Sequence, residues 1–385
     1  MMEEKSNFVL FLATFLTTIA LSTVYIAIPL FAIQLGADPL NLGGLGFTSN
    51  LCFICFCLLF GKLSDRWKRK NIILLGFVGY SLASFLLSFS SHLYQLFIFI
   101  AFLGISGAMF WPSLEAWLAE RSGKRLLKQI AHFDVSWSMG AIIGPLIGGS
   151  IFQIFPRFPF YIAGFFYLAI FFLILREPSK TEYKASSNSK KSSYKENGDH
   201  ATSSFYLYLA WIATFASYFS LGILRYIFPK LFTEMGFTPL TLGILMSTIP
   251  ASQALIFCIL GQTSRWHYRL VPLLSAQLLI VFALILIFLS NSLPIFFLSF
   301  MFVGIGIGIC SFSSLFYSVN TYRNRGARAA IHEAFLGSGL LIGPLVGGIV
   351  AQIYNLKTPY LTAVLMIIVL ILVEITLILK RKSLI

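Results

Sequence analysis

Charged residues are scarce in this sequence, and the scarcity excludes most soluble folds. Only 11% of the 385 residues are Asp, Glu, Lys or Arg, whereas 58% are hydrophobic, and the mean hydropathy is +0.85. A soluble domain usually devotes roughly 25% of its residues to charge. The apolar residues form runs of about 20 residues, the length of a helix that crosses a bilayer, without the alternation typical of barrel strands. We therefore predict an all-α protein that crosses the lipid bilayer many times.

Cysteine is also scarce, and the motifs of several chemical functions are missing. All five cysteines lie in apolar runs, and Cys52-x-x-Cys55 has no His or acidic residue nearby, which favours packing over metal binding or redox chemistry. The sequence contains no nucleotide-binding P-loop, no cluster of metal ligands and no nucleophile paired with a base. We therefore expect no enzyme activity, no cofactor, no metal and no use of ATP bound by this chain.

Acidic residues are the rarer sign, with 14 Asp and Glu against 28 Lys and Arg. A basic protein can bind nucleic acid, but here the excess falls in alternate loops between apolar runs, which is the positive-inside pattern. This pattern predicts a multi-pass protein of the cell membrane with both termini in the cytoplasm and no nucleic-acid partner. The basic segments are Lys62–Lys70, Arg121–Lys128, Arg176–Lys195, Arg265 with Arg269, Arg323–Arg328 and Lys380–Lys382.

The apolar runs predict about twelve membrane-spanning helices in two bundles of six. Residues 1–176 form the first predicted bundle, 177–203 a polar cytoplasmic linker, and 204–385 the second bundle. Spans 1 to 6 are predicted at Phe8–Gln34, Leu42–Phe60, Asn71–Ser90, Tyr94–Glu120, His132–Phe155 and Phe160–Leu175. Spans 7 to 12 are predicted to begin near Phe205, Leu240, Leu270, Pro294, Ile331 and Tyr360.

The second bundle repeats the first in sequence. Ala13-Thr14-Phe15 returns as Ala213-Thr214-Phe215, and a motif of four glycines and a proline at 140–149 returns at 339–348. Because each bundle has an even number of spans, the two repeats start on the same side and are related by an axis along the membrane normal. Such parallel pseudo-repeats predict a cleft between the bundles near the bilayer midplane.

Two motifs resemble those of a known family. The loop Gly61–Lys70 resembles the signature G-x-x-x-D-R-x-G-R-[KR] of the major facilitator superfamily, with Lys68 in place of the second glycine. The 140–149 segment is similar to the span 5 motif of drug/proton antiporters in that family, although Ala131 stands where the motif has its first glycine. The resemblance implies the major facilitator fold and transport by alternating access. It also implies a conformational latch on the cytoplasmic face, formed by Gly61, Asp65, Arg66 and Arg69 with Glu120, unless this is only a solvated basic loop.

The glycine–proline motifs predict close helix packing. Glycines let helix backbones approach, and a proline permits a bend. We expect spans 5 and 11 to form a sliding seam between the bundles, with tight packing alone as the alternative. The seam residues are Gly140, Gly144, Pro145, Gly148, Gly149, Gly339, Gly343, Pro344, Gly347 and Gly348.

Polar residues inside the predicted spans are candidates for a substrate cavity, because such groups are costly in lipid and face an interior or a wet cleft. Arg225 suits a carboxylate or phosphate, with an internal ion pair or a snorkelling side chain as alternatives. Asn50 and Gln253 could bind hydroxyl or carbonyl groups, and Trp111 could line an aromatic cavity. The predicted cavity residues are Thr14, Thr18, Ser22, Tyr25, Asn50, Trp111, Thr214, Tyr218, Arg225 and Gln253.

Three acidic residues in the spans receive different predictions. Glu115 shares a helix face with Ala108 and Trp111, which points it inward as a candidate proton carrier or as a structural partner of cytoplasmic cations. Asp134 and Glu333 fall in the first turns of predicted spans, where the helix dipole favours an acid, so we expect them to be caps.

The sequence as a whole predicts a secondary transporter that works as a monomer on a small molecule and protons within the lipid bilayer. Proton-coupled efflux of an amphipathic compound is the first expectation, because of the glycine–proline motif and the aromatic content. Proton-coupled uptake of a small organic anion is the alternative that Arg225 favours. A non-transporting membrane receptor on the same fold is a further alternative.

Overall fold

The structure is a computed structural model that describes residues 2–122, 126–177, 200–319 and 325–382. These residues form thirteen helices and no strand, and twelve spans among them are long and apolar enough to cross a membrane. The helices are α1 (Met2–Gln34), α2 (Pro39–Arg66), α3 (Arg69–Ser88), α4 (Leu93–Ser122), α5 (Leu126–Ile154), α6 (Phe158–Leu175), α7 (His200–Tyr226), α8 (Phe228–Glu234), α9 (Pro239–Gly261), α10 (Leu270–Leu289), α11 (Leu293–Val319), α12 (Arg325–Ile353) and α13 (Thr358–Lys382).

The twelve spans confirm the predicted fold class. Helices α1 to α6 are spans 1 to 6, α7 and α8 together form span 7, and α9 to α13 are spans 8 to 12. We call the face that carries Trp67–Lys68 and Gln262–Arg269 the basic face. The face that carries Leu35–Asp38 and Met235–Thr238 is called the opposite face.

The same turn joins the first two spans in each half of the chain. Gly36 and Gly236 adopt φ of 84° and 81°, a left-handed conformation that suits glycine because it lacks a Cβ. The next helix is then capped by a side-chain oxygen, Asp38 accepting from the Asn41 amide at 2.7 Å and Thr238 accepting from the Thr241 amide at 3.3 Å. The internal repeat of the sequence is therefore also present in the structure.

Several helices extend beyond their apolar runs on the basic face. Helix α5 begins at Leu126 instead of His132, α12 begins at Arg325 instead of Ile331, and α2 continues to Arg66. Hydropathy detects only the part of a helix that lies in lipid, so polar helical turns outside it were missed. Asp134 and Glu333 consequently lie well inside their helices, and the prediction that they are caps is wrong.

The predicted linker lies mostly outside the described residues, which resume at His200 with the start of α7. Glu177, its first residue, is described and holds three helices together at the basic face. Its carboxylate pairs with Arg121 of α4 at 2.9 Å, and its backbone carbonyl accepts from Lys70 of α3 at 2.6 Å. Because Glu177 directly follows α6, these contacts join the ends of α3, α4 and α6.

Residues Gly261–Arg269 correspond in the second half of the chain to the basic loop that begins at Gly61. They form a turn that is packed by aromatic side chains. The indole of Trp266 is 5% exposed and donates to the Leu260 carbonyl at 2.9 Å, while the Tyr268 amide donates to the Tyr317 hydroxyl at 2.8 Å. His267 stacks on Phe316 with ring centroids 4.3 Å apart, and partial burial lowers the pKa of its imidazole, which favours the neutral ring. This turn therefore closes the basic end of the second half with aromatic contacts.

Candidate functional site

The two halves of the chain meet along two helix pairs, α2 with α12 and α5 with α9. The contact is closest near the opposite face, where these helices begin or end. A Cβ added at Gly43 would lie 2.9 Å from the Cα of Gly348, and one added at Gly149 would lie 3.1 Å from the Cα of Gly243. Only glycine permits such backbone approach, so the cleft between the halves is closed on this side.

The glycine–proline motifs divide between two kinds of contact. Gly140, Gly144 and Gly148 pack on α1, and Gly339, Gly343 and Gly347 pack on α7, each within one half of the chain. Pro145 and Gly149 contact α9, and Pro344 and Gly348 contact α2, across the halves, while Pro344 also packs on Gly222 of α7. One face of each motif thus contacts the other half of the chain, and the other face packs within its own half.

Polar contacts between the halves reinforce the closed side. Lys230 of α8 donates through Nζ to the Ala37 carbonyl at 2.8 Å, and the Leu240 amide donates to Oε1 of Gln153 at 3.3 Å. Deeper along the same seam, Ser247 donates to the Ile142 carbonyl at 2.7 Å. These contacts come from side chains that no periodicity in the sequence singles out.

Arg225 and Tyr25 lie across from one another at the closed end of the cleft. The guanidinium of Arg225 lies 4.9 Å from the centre of the Tyr25 ring, a cation–π contact between the halves. The Tyr25 side chain also faces Ser49 of α2, and both aromatic and guanidinium side chains are half-buried. Sequence analysis predicted both residues to line the cavity, and the structure brings them together.

A second polar group lies on the second half of the chain beside this pair. The Tyr218 side chain faces Ser311 of α11 and Gln253 of α9. Gln253, which was predicted to line the cavity, is itself 3% exposed. On the first half, Asn50 donates to the Gly46 carbonyl of its own helix at 2.8 Å, and Trp111 packs edge-on against Phe110 with centroids 4.8 Å apart. Asn50, Trp111, Tyr218 and Ser22 are half-buried, as expected for side chains at a cleft.

Three threonines predicted in the cavity are buried between helices instead. Thr14 and Thr18 donate to carbonyls one turn earlier in α1, each at 2.8 Å. Thr214 donates to the carbonyls of Ala210 at 2.8 Å and Cys310 at 3.2 Å. All three are at most 2% exposed, so they do not line the cleft in this conformation. The set of predicted cavity residues thus includes hydroxyls that are hydrogen-bonded to backbone carbonyls.

Acidic side chains from both halves come close to one another toward the basic-face ends of α4, α5 and α12. Glu115 of α4 interacts electrostatically with Asp134 of α5 and with Glu333 of α12. Glu115 is exposed and Glu333 is 52% exposed, although both are surrounded by protein, as expected in an open cleft. We call Glu115, Asp134 and Glu333 the acidic cluster. Sequence analysis singled out only Glu115 as a candidate for proton binding, because Asp134 and Glu333 were predicted to be helix caps.

Two further residues, His332 and Arg69, stand apart from the cleft surface. His332 is buried and its Nδ1 lies 2.7 Å from the Ser314 hydroxyl, so it joins α12 to α11. Arg69, a predicted latch residue, begins α3 at the basic face. Gly61 lies within α2, and the side chains of the other predicted latch residues, Asp65, Arg66 and Glu120, lie outside the part that the structure describes.

Two halves of equivalent helices around a cleft that is closed at one membrane face define a secondary transporter architecture. The sequence profile described as Major Facilitator Superfamily matches residues 10–322 and 210–383, and the chain belongs to this family. The protein is therefore a multi-pass membrane transporter of small molecules.

The chain is similar to Multidrug resistance protein 1 of Bacillus subtilis, at 25% identity over 373 residues and 91% of both chains. It is also similar to the class B tetracycline resistance protein of Escherichia coli, at 33% identity over 122 residues, 32% of this chain and 30% of that protein. Among solved structures, an inward-facing, occupied bacterial homolog of the human lysosomal transporter Spinster matches with a TM-score of 0.77 at 15% identity, covering 98% of this chain and 97% of that one. The last likeness concerns the fold alone.

Proposed function

We propose that this transporter exports amphipathic compounds from the cytoplasm in exchange for protons, with its basic face in the cytoplasm. The basic loops support this orientation through the positive-inside bias. In that orientation the cleft of the described conformation opens to the cytoplasm, where an exported compound would enter. The multidrug and tetracycline resistance relatives support export, and the half-buried Trp111 and Tyr25 offer aromatic surface to an apolar substrate.

The observation that carries the proposal is the acidic cluster, because its members belong to both halves. Moving the halves together on the basic face brings Glu333 toward Glu115 and Asp134. Like charges at short range repel more strongly as water leaves, so closure is unfavourable while all three are ionised. Protons relieve this repulsion, and a cationic group on the substrate relieves it as well. A cleft that closes only when either is bound exchanges one for the other.

The test uses the full chain reconstituted in liposomes with an imposed proton gradient and ethidium as the fluorescent probe. We expect gradient-driven ethidium transport in the wild type. Glu115→Gln removes one negative charge and should leave downhill ethidium movement while reducing gradient-driven accumulation at least tenfold. Ser136→Ala is the matched control, because this hydroxyl on α5 bonds within its own helix, to the His132 carbonyl at 2.8 Å. Full proton coupling in Glu115→Gln would refute the assigned role of Glu115.

A second candidate is proton-coupled uptake of a small organic anion, which Arg225 favours. Its guanidinium lies at the closed end of the cleft, where it could bind a carboxylate in a bidentate manner. The same liposomes separate the two functions when benzoate replaces ethidium. Benzoate accumulation that is lost in Arg225→Gln, with no ethidium transport, would establish uptake in place of export.

Three further assignments belong to the proposal. The bundles are residues 1–176 and 204–385, joined by the linker 177–203, and the working unit is a monomer in the cell membrane with both termini in the cytoplasm. When the cleft closes on the basic face, the loop after α2 acts as the latch between the halves. The latch residues are Gly61, Asp65, Arg66 and Arg69 with Glu120.

A further inference from the structure

A glutamate and a glutamine are buried together in the second half of the chain, apart from the acidic cluster. Glu374 lies on α13 and Gln277 on α10, two helices that pack against each other. The side chains are 1% and 0% exposed. Ionisable residues in membrane spans are costly and commonly functional, yet this pair has no place in the cleft mechanism.

The hydrogen bonds of this pair are incomplete. Nε2 of Gln277 donates to Oε2 of Glu374 at 2.8 Å. Oε1 of Glu374 and Oε1 of Gln277 are both buried without a hydrogen-bond partner. An ionised carboxylate and a carboxamide oxygen can only accept, so neither atom can satisfy the other. The pair therefore lacks one donor hydrogen that could join these two acceptor oxygens.

A single proton supplies that hydrogen. Bound to Oε1 of Glu374, it turns the carboxylate into a carboxylic acid, whose O–H can donate to Oε1 of Gln277. The two side chains then form a closed ring of two hydrogen bonds, and both orphan acceptors are satisfied. The proton comes from water, and the step forms one O–H bond while a hydronium ion gives up its own.

The surroundings of the pair favour a neutral acid. In the described part of the chain, the ionisable group that interacts with Glu374 from another helix is the Cys310 thiol of α11. Helix α7 faces this region with Thr214, whose hydroxyl bonds the carbonyls of Ala210 and Cys310. On α13 itself, Arg381 lies over the Phe205 ring at 4.7 Å. The contacts at the carboxyl thus include no cation that would balance its charge.

We propose that Glu374 and Gln277 form a proton-binding site in the second half, in which the protonated carboxyl of Glu374 donates to the carboxamide of Gln277. The site is separate from the acidic cluster and holds its proton at neutral pH. When the carboxyl ionises at alkaline pH, two unshielded acceptors face each other and the contact between α10 and α13 is weakened. This inference stands whether or not transport is coupled to protons.

Infrared spectroscopy of the reconstituted full chain tests the protonation directly. At neutral pH we expect the carbonyl-stretch band of a protonated carboxyl that shifts in D₂O, disappears in Glu374→Gln and remains in Glu115→Gln. Gln277→Leu should move the band, because the acceptor of the acid is lost. Absence of a band assigned to Glu374 at neutral pH would show an ionised carboxylate and overturn the proposal.

Thermal unfolding as a function of pH provides a second readout. Glu374→Gln can form the same ring without a titrating proton, so its unfolding temperature should vary less above neutral pH than that of the wild type. Identical alkaline profiles would contradict the site. Sodium chloride, compared with choline chloride, should not stabilise the wild type selectively over Glu374→Gln. A sodium-specific rise confined to the wild type would mean that the pair binds a metal cation, which also overturns the proposal.

Discussion

Single side chains show that a polar residue in a membrane span has two different uses. Thr18 of α1 and Thr214 of α7 were both predicted to line the cavity and are both buried. The Thr18 hydroxyl bonds within α1, whereas the Thr214 hydroxyl also bonds the Cys310 carbonyl of α11. The Thr18 hydroxyl is thus hydrogen-bonded only within its own helix, whereas the Thr214 hydroxyl joins two helices. We therefore expect only the Thr214 hydroxyl to contribute to the stability of the fold.

Thr214→Val is expected to destabilise the protein by about 0.6–1.7 kcal/mol, the range for interhelical hydrogen bonds in membrane proteins. The valine keeps the shape of the side chain and removes only the donor. Thr18→Val serves as the comparison and should change stability less, since its hydroxyl bonds inside one helix. Thermal unfolding in detergent measures both variants. An equal loss in the two variants would show that the α7–α11 bond contributes nothing of its own.

Helix pairs decide which parts of the glycine–proline motifs control the cleft. The motif in α5 packs on α1 through three glycines and on α9 through Pro145 and Gly149. The sequence shows that close packing will occur in this segment, because the small residues are spaced for it. The spacing does not say which neighbour each side of the helix will contact, since helices of both halves are available as partners.

Gly243→Ala should shift the protein away from the conformation described here. A Cβ at this position collides with the Pro145 backbone across the halves, so the cleft cannot close fully on the opposite face. Gly261→Ala is the matched control, because a Cβ there has no atom within 4 Å. We expect slower transport and greater accessibility of the cleft from the opposite face in Gly243→Ala alone. Unchanged accessibility would mean that this seam does not close the cleft.

At the scale of the whole molecule, the described residues show one of the two conformations that the proposed alternating-access mechanism requires. The cleft is closed at the opposite face by Lys230, Arg225 and the close glycine contacts between the halves, while Glu115 and Glu333 of the acidic cluster are exposed. A transporter must also visit the reverse arrangement, in which these cross-half contacts are broken. A non-transporting receptor with the same fold would not need to visit this reverse arrangement.

Cysteine labelling distinguishes these two behaviours. In a variant whose native cysteines are replaced by serine, Tyr25→Cys should react with a membrane-impermeant maleimide from the basic face in the resting protein. Addition of tetraphenylphosphonium or acid should make the same position reactive from the opposite face. Tyr354→Cys, at a side chain 72% exposed on the opposite face, reports that face under all conditions. Labelling of Tyr25→Cys from one face only would favour the receptor.

The number of spans, their order and the internal repeat follow from the amino-acid sequence, because each span must bury its own backbone polar groups in lipid and so appears as a separate apolar run. The turns at Gly36 and Gly236 are also encoded locally, because a glycine followed closely by a helix-capping side chain is a short-range signal. Only the tertiary structure shows that Asp134 and Glu333 lie near Glu115 and that Thr14 is buried outside the cleft. It also shows the hydrogen bond between Glu374 and Gln277. Those contacts connect residues far apart in the chain, and they depend on helix rotation and helix ends, which apolar periodicity leaves undetermined.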